Sequence, residues 1–244
     1  MNQLVLTLSM APRFAFETLI VHEGIEAAVA AIRSVYEEPE RPLPPLFLFG
    51  GPGTGKTHIL KATSSLIEGI RGERDGSSRF FSPGGTREGG TGFEAFAAQA
   101  DEESARFCCV AVDDVHLLSP DQSTHLWSLS NRATRRGSPL LLASGLSMQE
   151  VFGDNPHLES RVKAGLVFQL SPPEDSVRML ILDKMARDRN VRVSRDVCSY
   201  LVTRKARNLR ELGRILEILD HESLVQKRRI TLPLIKTMER DGFV

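Results

Sequence analysis

The sequence is poor in cysteine, carries no net charge and has no long apolar run, and each lack removes a class of protein. Cys108, Cys109 and Cys198 have no metal-type spacing, and the adjacent pair sits in an apolar stretch. They read as small buried hydrophobes of a reducing cytoplasm. No stretch approaches the roughly 18 consecutive apolar residues of a membrane span. The opening MNQLVLTLSMAPRFAF has neither a basic n-region nor a long apolar h-region, so no secretory leader is expected. Lys and Arg total 31, as do Asp and Glu, and a neutral whole argues against strong non-specific DNA binding.

The neutrality hides an asymmetry. Residues 1–171 hold 15 Lys and Arg against 20 Asp and Glu, a balance of −5, whereas residues 172–244 hold 16 against 11, a balance of +5. A basic C-terminal part suits either a nucleic-acid or acidic-partner surface or ordinary solvated helix faces. With 41% hydrophobic and 25% charged residues over 244 positions, the chain fits one globular α/β domain with a small satellite.

Residues 1–12 read as a short tail ending at Pro12. Ile25, Ala28, Val29, Ile32 and Val35 recur at helical spacing and predict an amphipathic helix over 22–36. After the proline-rich link 39–45, Leu46-Phe47-Leu48-Phe49 is apolar without a break, as in a strand buried on both faces. A helix over 56–69, a strand at 79–82 and a glycine-rich, mobile segment at 83–92 are expected next. A helix over 93–104, a strand at 107–112, a helix over 121–136 and strands at 140–143 and 166–170 complete the alternation. The pattern predicts a five-stranded, doubly wound parallel sheet flanked by helices. From 172 the periodicity is helical only, predicting a bundle of about four helices. Its caps are expected at Ser171-Pro172-Pro173-Glu174-Asp175, Ser194 and Thr231, with a capping box from Asn208 to Glu211. The expected domains are therefore 1–12, 13–171 and 172–244.

Two motifs carry chemistry. Gly50-Gly51-Pro52-Gly53-Thr54-Gly55-Lys56-Thr57 fits G-x-x-x-x-G-K-[ST], between an apolar strand and a helix. Glycines let backbone N–H groups turn onto phosphates at a helix N-terminus that already favours anions. Lys56 would reach the β and γ phosphates of ATP, or the β phosphate of ADP, and Thr57 would ligate Mg²⁺. The loop residues 51–57 and the adjoining His58 are the candidate nucleotide-binding set. Downstream, the apolar run 108–112 ends in Asp113-Asp114, a Walker B arrangement. There Asp113 would hold the metal and Asp114 would orient the attacking water.

These motifs resemble the AAA+ module of the DnaA family of replication initiators. The segments FLFGGPGTGKTHILKA, CCVAVDDVHLL, LESRV-x-x-GL at 158–166 and RNLRELGRILEIL at 207–219 all take part, and the resemblance covers more than nine-tenths of the chain. It implies that Asn131 occupies a polar family position. It also implies that Arg161 is an arginine finger acting on a neighbouring subunit's nucleotide, and that Arg210 is the sensor II arginine reading the bound phosphates. Gly145 stands where the family has an acidic sensor I residue, with Ser144 beside it as a partial substitute, and the loop before Walker B is short. Weak intrinsic hydrolysis is the expectation. The initiators continue into a helix-turn-helix domain, which is not expected here because the sequence stops at Val244.

The first residues are similar to the clamp-binding peptide of the Hda group of DnaA-related regulators. By that resemblance Gln3 would hydrogen-bond at the rim of a pocket on the DNA polymerase III β sliding clamp, with Leu4, Leu6 and Leu8 as its other contacts. The implied function is to bind the clamp and DnaA and stimulate hydrolysis of the ATP on DnaA, with DNA association indirect and self-association open. A DnaA-related DNA-binding or initiation-promoting factor and a stand-alone ATPase or loader are the alternatives.

Overall fold

The structure, a computed structural model, describes residues 14–38, 43–83, 93, 96–97, 106–205, 208–226 and 228–240. The expected tail 1–12 and most of the glycine-rich segment 83–92 lie outside the described residues. Of the helix expected over 93–104, Phe93, Phe96 and Ala97 are described, helical and buried.

Two compact units divide between Pro172 and Pro173. The first begins at Phe14. Its elements are α1 (Glu23–Tyr36), β1 (Leu46–Phe49), α2 (Lys56–Asp75), β2 (Arg79–Phe81) and β3 (Val110–Val112), followed by α3 (Pro120–Arg135), β4 (Leu140–Ser144), α4 (Met148–Phe152), α5 (Pro156–Lys163) and β5 (Leu166–Gln169). Among the described residues the strands form one sheet in the order β2-β3-β4-β1-β5, and every pairing is parallel. The expected architecture is the observed one.

Pleating explains the unbroken apolar runs. Successive side chains of a strand point to opposite faces. In β1, Leu46 and Leu48 enter the core on the α1 and α2 side, with Ile32, Ile59 and Leu60, while Phe47 enters the opposite core with Leu126, Leu129 and Phe152. β4 repeats the division, Leu141 and Ala143 on the first side and Leu140 and Leu142 on the second. Each fully buried side chain of this size contributes about 1.5–3 kcal/mol, which makes the middle strands intolerant of polar substitution. At the edge, β5 relaxes the pattern: Leu166 and Phe168 pack inward while Val167 and Gln169 are exposed.

Local details depart from expectation for identifiable reasons. α2 runs six residues past the expected end at 69, through Gly69 and Gly72, and stops at Gly76, whose φ of +91° suits a glycine C-cap. The strand expected over 107–112 is regular only from Val110, although Phe107, Cys108 and Cys109 are fully buried. Two helices were not foreseen. α4 is opened by a capping box between Ser147 and Glu150, and α5 by Asn155 capping with Pro156 at the first position. Both signals are present in the sequence.

The second unit, described by itself, packs α6 (Asp175–Asp188), α7 (Arg195–Tyr200), α8 (Leu209–Gln226) and α9 (Leu232–Arg240), with a wider π turn at Leu201–Lys205. Leu182, Val197, Leu201, Leu212, Leu216, Leu219 and Ile235 form its apolar centre. Ser194 Oγ accepts the Val197 N–H at 3.4 Å, and Asn208 Oδ1 accepts the Glu211 N–H at 2.9 Å. The cap expected at Ser171 is instead the backbone of Glu174, with no side-chain bond, and both prolines precede the helix.

Candidate functional site

The nucleotide-binding candidate grows out of the C-terminal end of β1. Leu170 N–H donates to the Phe49 carbonyl at 2.7 Å, and Gly50 N–H donates to the Ser144 carbonyl at 3.3 Å, so the chain leaves the sheet tethered on both sides. Gly50 has φ of +150°, and a Cβ there would lie 2.3 Å from the Leu170 carbonyl oxygen. Only glycine fits. Gly51 and Pro52 form the exposed rim of the loop, Gly53 and Gly55 turn with φ of +76° and +94°, and Gly55 caps α2. Thr54 is buried, with its hydroxyl donating to the Gly51 carbonyl at 3.0 Å.

The side chains at the helix start are already gathered. Lys56 is buried, its ammonium donating to the Gly50 and Gly51 carbonyls at 2.7 Å each, folded back on the loop it would share with phosphates. Thr57 Oγ1 donates to Asp113 Oδ2 at 2.6 Å, and Asp114 N–H donates to Asp113 Oδ1 at 3.0 Å. Burial raises the pKa of Asp113 and the neighbouring Asp114 adds to the rise, while the Thr57 hydroxyl and Lys56 oppose it. A buried carboxylate beside a hydroxyl is a hard-oxygen pair that gains from a divalent cation. Among the described residues no group of three or more His, Cys, Asp or Glu is placed to hold a metal, so phosphate oxygens and water would complete the shell. Asp114 stands in the left-handed region at φ of +48°, at the start of a short turn, Val115–Leu117.

His58 has a different environment. Its ring meets Phe14 edge-on at 5.3 Å, and Nε2 lies 3.1 Å from the Ala15 carbonyl and 3.4 Å from Thr18 Oγ1. Lys61 Nζ sits 4.7 Å from the ring centres of both Phe14 and Phe80. His58 thus ties the leading segment to α2.

His116 belongs to neither motif of the sequence. Its Nδ1 accepts the Gly145 N–H at 3.0 Å, and a Cβ on Gly145 would come within 2.8 Å of its Nε2. The ring occupies the space beside position 145, which accounts for the absence of a side chain there. Ser144 is fully buried and its Oγ accepts the Leu146 N–H at 2.9 Å. The spacing from Asp113 to His116 is visible in the sequence, but the pairing with position 145 needs the register of β3 beside β4.

Arg161, on α5, lies against α3. Its guanidinium is 5.1 Å from the Trp127 ring centre, and Nη1 donates to Asn131 Oδ1 at 2.5 Å and to Ser130 Oγ at 3.5 Å. Arg210 is exposed in the first turn of α8, in the second unit. Gln3, Leu4, Leu6 and Leu8 lie outside the described residues.

Comparison with known proteins agrees with this architecture. Residues 10–74 match the family model of the bacterial DnaA ATPase domain, and residues 175–238 match that of the Hda lid domain. The chromosomal replication initiator protein DnaA of Rippkaea orientalis is 30% identical over 238 residues, covering 87% of this chain and 48% of its own length. The chain spans about half the length of the curated relatives it matches. Domain III of Thermotoga maritima DnaA has a TM-score of 0.76 at 23% identity, covering 95% of this chain and 97% of that one. AMPPCP-bound DnaA from Aquifex aeolicus has a TM-score of 0.65 at 21% identity, covering 96% and 71%. Both structural likenesses speak for the fold. The family models and the relatives take the assignment further: the chain is a DnaA-family AAA+ protein, Hda-like in its lid.

Proposed function

We infer that the protein binds ATP or ADP with Mg²⁺ at Gly50–Thr57, docks on the β sliding clamp through its first residues, and stimulates hydrolysis of ATP held by a DnaA partner. The observation that carries this reading is the pairing of a DnaA-type ATPase segment with an Hda-type lid in one chain. Support for the nucleotide comes from the loop itself: glycine-only turns, a buried lysine and a Thr57–Asp113 oxygen pair. The A. aeolicus relative binds AMPPCP with the same fold.

In this role Lys56 would exchange its two loop carbonyls for phosphate oxygens, and the Thr57 hydroxyl and Asp113 carboxylate would hold the cation. Magnesium, when bound, supplies neutralisation of the phosphate charge. Asp114 is the residue that would orient water, but Gly145 contributes no side chain beside it, so intrinsic turnover is slow. Arg161 would serve the partner's nucleotide by stabilising charge in its transition state.

Replacing Gln3 and Leu6 by Ala tests the docking. The variant should lose clamp binding in a surface assay and keep nucleotide affinity and melting temperature. Undiminished clamp affinity would remove the clamp from this account. DNA-dependent ATPase activity in the isolated protein would favour a stand-alone motor instead.

A further inference from the structure

The face that presents Arg161 is more elaborate than a surface arginine needs. Trp127, Ser130 and Asn131 stand at i, i+3 and i+4 on α3 and so share one side of the helix. All three meet the same guanidinium, Trp127 by its ring and the other two by oxygen atoms. Ser130 is buried, which fixes its position, and His157 of α5 lies 5.9 Å from the Trp127 ring centre and packs it from beside Arg161. Among the described residues both hydrogen bonds of Arg161 leave from Nη1. The Nη2 and Nε edge is therefore left to receive two oxygens of a carboxylate or phosphate in the paired geometry that guanidinium favours.

We propose that Trp127 and Asn131 are positioning residues that hold Arg161 pre-set, pinned through Nη1 and stacked on the indole, with its other edge offered to a partner's polyphosphate. The proposal rests on the function inferred above. An arginine free to rotate must be ordered when it engages, and ordering one long side chain reduces the gain by a factor of about three to ten. A cradle built before the partner arrives removes that loss. Because the finger acts on transition-state charge, the benefit falls on the stimulated rate and not on partner binding.

The test has two readouts. Trp127 is the sole tryptophan of the chain, so its emission reports the cradle in the isolated protein. Arg161→Ala and Asn131→Ala should each change that emission with no partner present. With ATP-loaded DnaA, clamp and DNA, Asn131→Ala and Trp127→Leu should lower the maximal rate of ADP formation about three- to tenfold. The concentration giving half-maximal stimulation should stay the same, and Trp127→Phe, which keeps an aromatic face, should restore most of the rate. Adding Asn131→Ala to Arg161→Ala should cause no further loss. Emission identical in wild type and Arg161→Ala overturns the cradle whatever the rates do, as does a rate loss equally large in the Arg161→Ala background. If wild type stimulates nothing, the inferred function fails, and the emission alone then decides whether the cradle exists.

Discussion

The first unit carries two candidate sites built on opposite plans. At Gly50–Thr57 backbone makes the site: three glycines at positive φ, carbonyls that hold Lys56, and a helix start. At Arg161 side chains make it: an indole, an amide and a hydroxyl arranged on one helix. The first keeps its lysine buried and is tied to the sheet on both sides, whereas the second is half-exposed and stands between two helices. The difference suits two tasks. A site that keeps its own ligand is best fixed by main chain, and one that serves a partner needs an accessible, charged side chain held at low entropic cost.

Substitutions can break this contrast. Within the nucleotide loop the largest effect is expected for Lys56→Ala, which removes the charge nearest the phosphates. A charge-assisted hydrogen bond contributes up to about 3 kcal/mol, so ADP affinity by calorimetry should fall on the order of 100-fold. Unchanged affinity would mean that the loop is not a nucleotide site. Gly50→Ala comes next. A side chain at φ of +150° costs about 1–3 kcal/mol before the clash with the Leu170 carbonyl is counted. Melting temperature should fall by about 5 °C or more, with weakened nucleotide binding. If Gly50→Ala melts like wild type, the site does not depend on main-chain geometry. Gly145→Ala should do least. The added methyl displaces the His116 ring and its hydrogen bond, a loss of about 0.5–1.5 kcal/mol that a thermal melt would register as about 2–4 °C. Nucleotide affinity should hold, and a large loss would place His116 inside the nucleotide site.

The two sites also differed in how far the sequence revealed them. The nucleotide loop was legible because its chemistry is written in consecutive residues, and Asp113 was legible because an apolar strand ends there. Thr57 and Asp113 do meet, at 2.6 Å, although 56 positions separate them. Arg161 entered only through family resemblance, since nothing around 158–166 marks an arginine as special by composition. Its contacts with Trp127 and Asn131 join α5 to α3, and such a pairing depends on how two helices cross. His116 was missed for the same reason: its partner is a backbone N–H on the neighbouring strand's exit. The sheet was readable from unbroken apolar runs in its middle strands, and β5, expected at 166–170, forms at Leu166–Gln169 although its burial alternates. α4 and α5 escaped notice because five and eight residues are too few to show a helical period, even though their caps were visible.

The central claim is that Arg161 acts on a partner's nucleotide and not on this chain's own. Arg161→Ala should fold, bind ADP and bind the clamp like wild type. Mixed with ATP-loaded DnaA, clamp and DNA, it should leave the partner's ATP intact, with ADP formation about 10³-fold below wild type, the lower range for an arginine finger supplied in trans. Wild-type rates of ADP formation with Arg161→Ala would contradict the account.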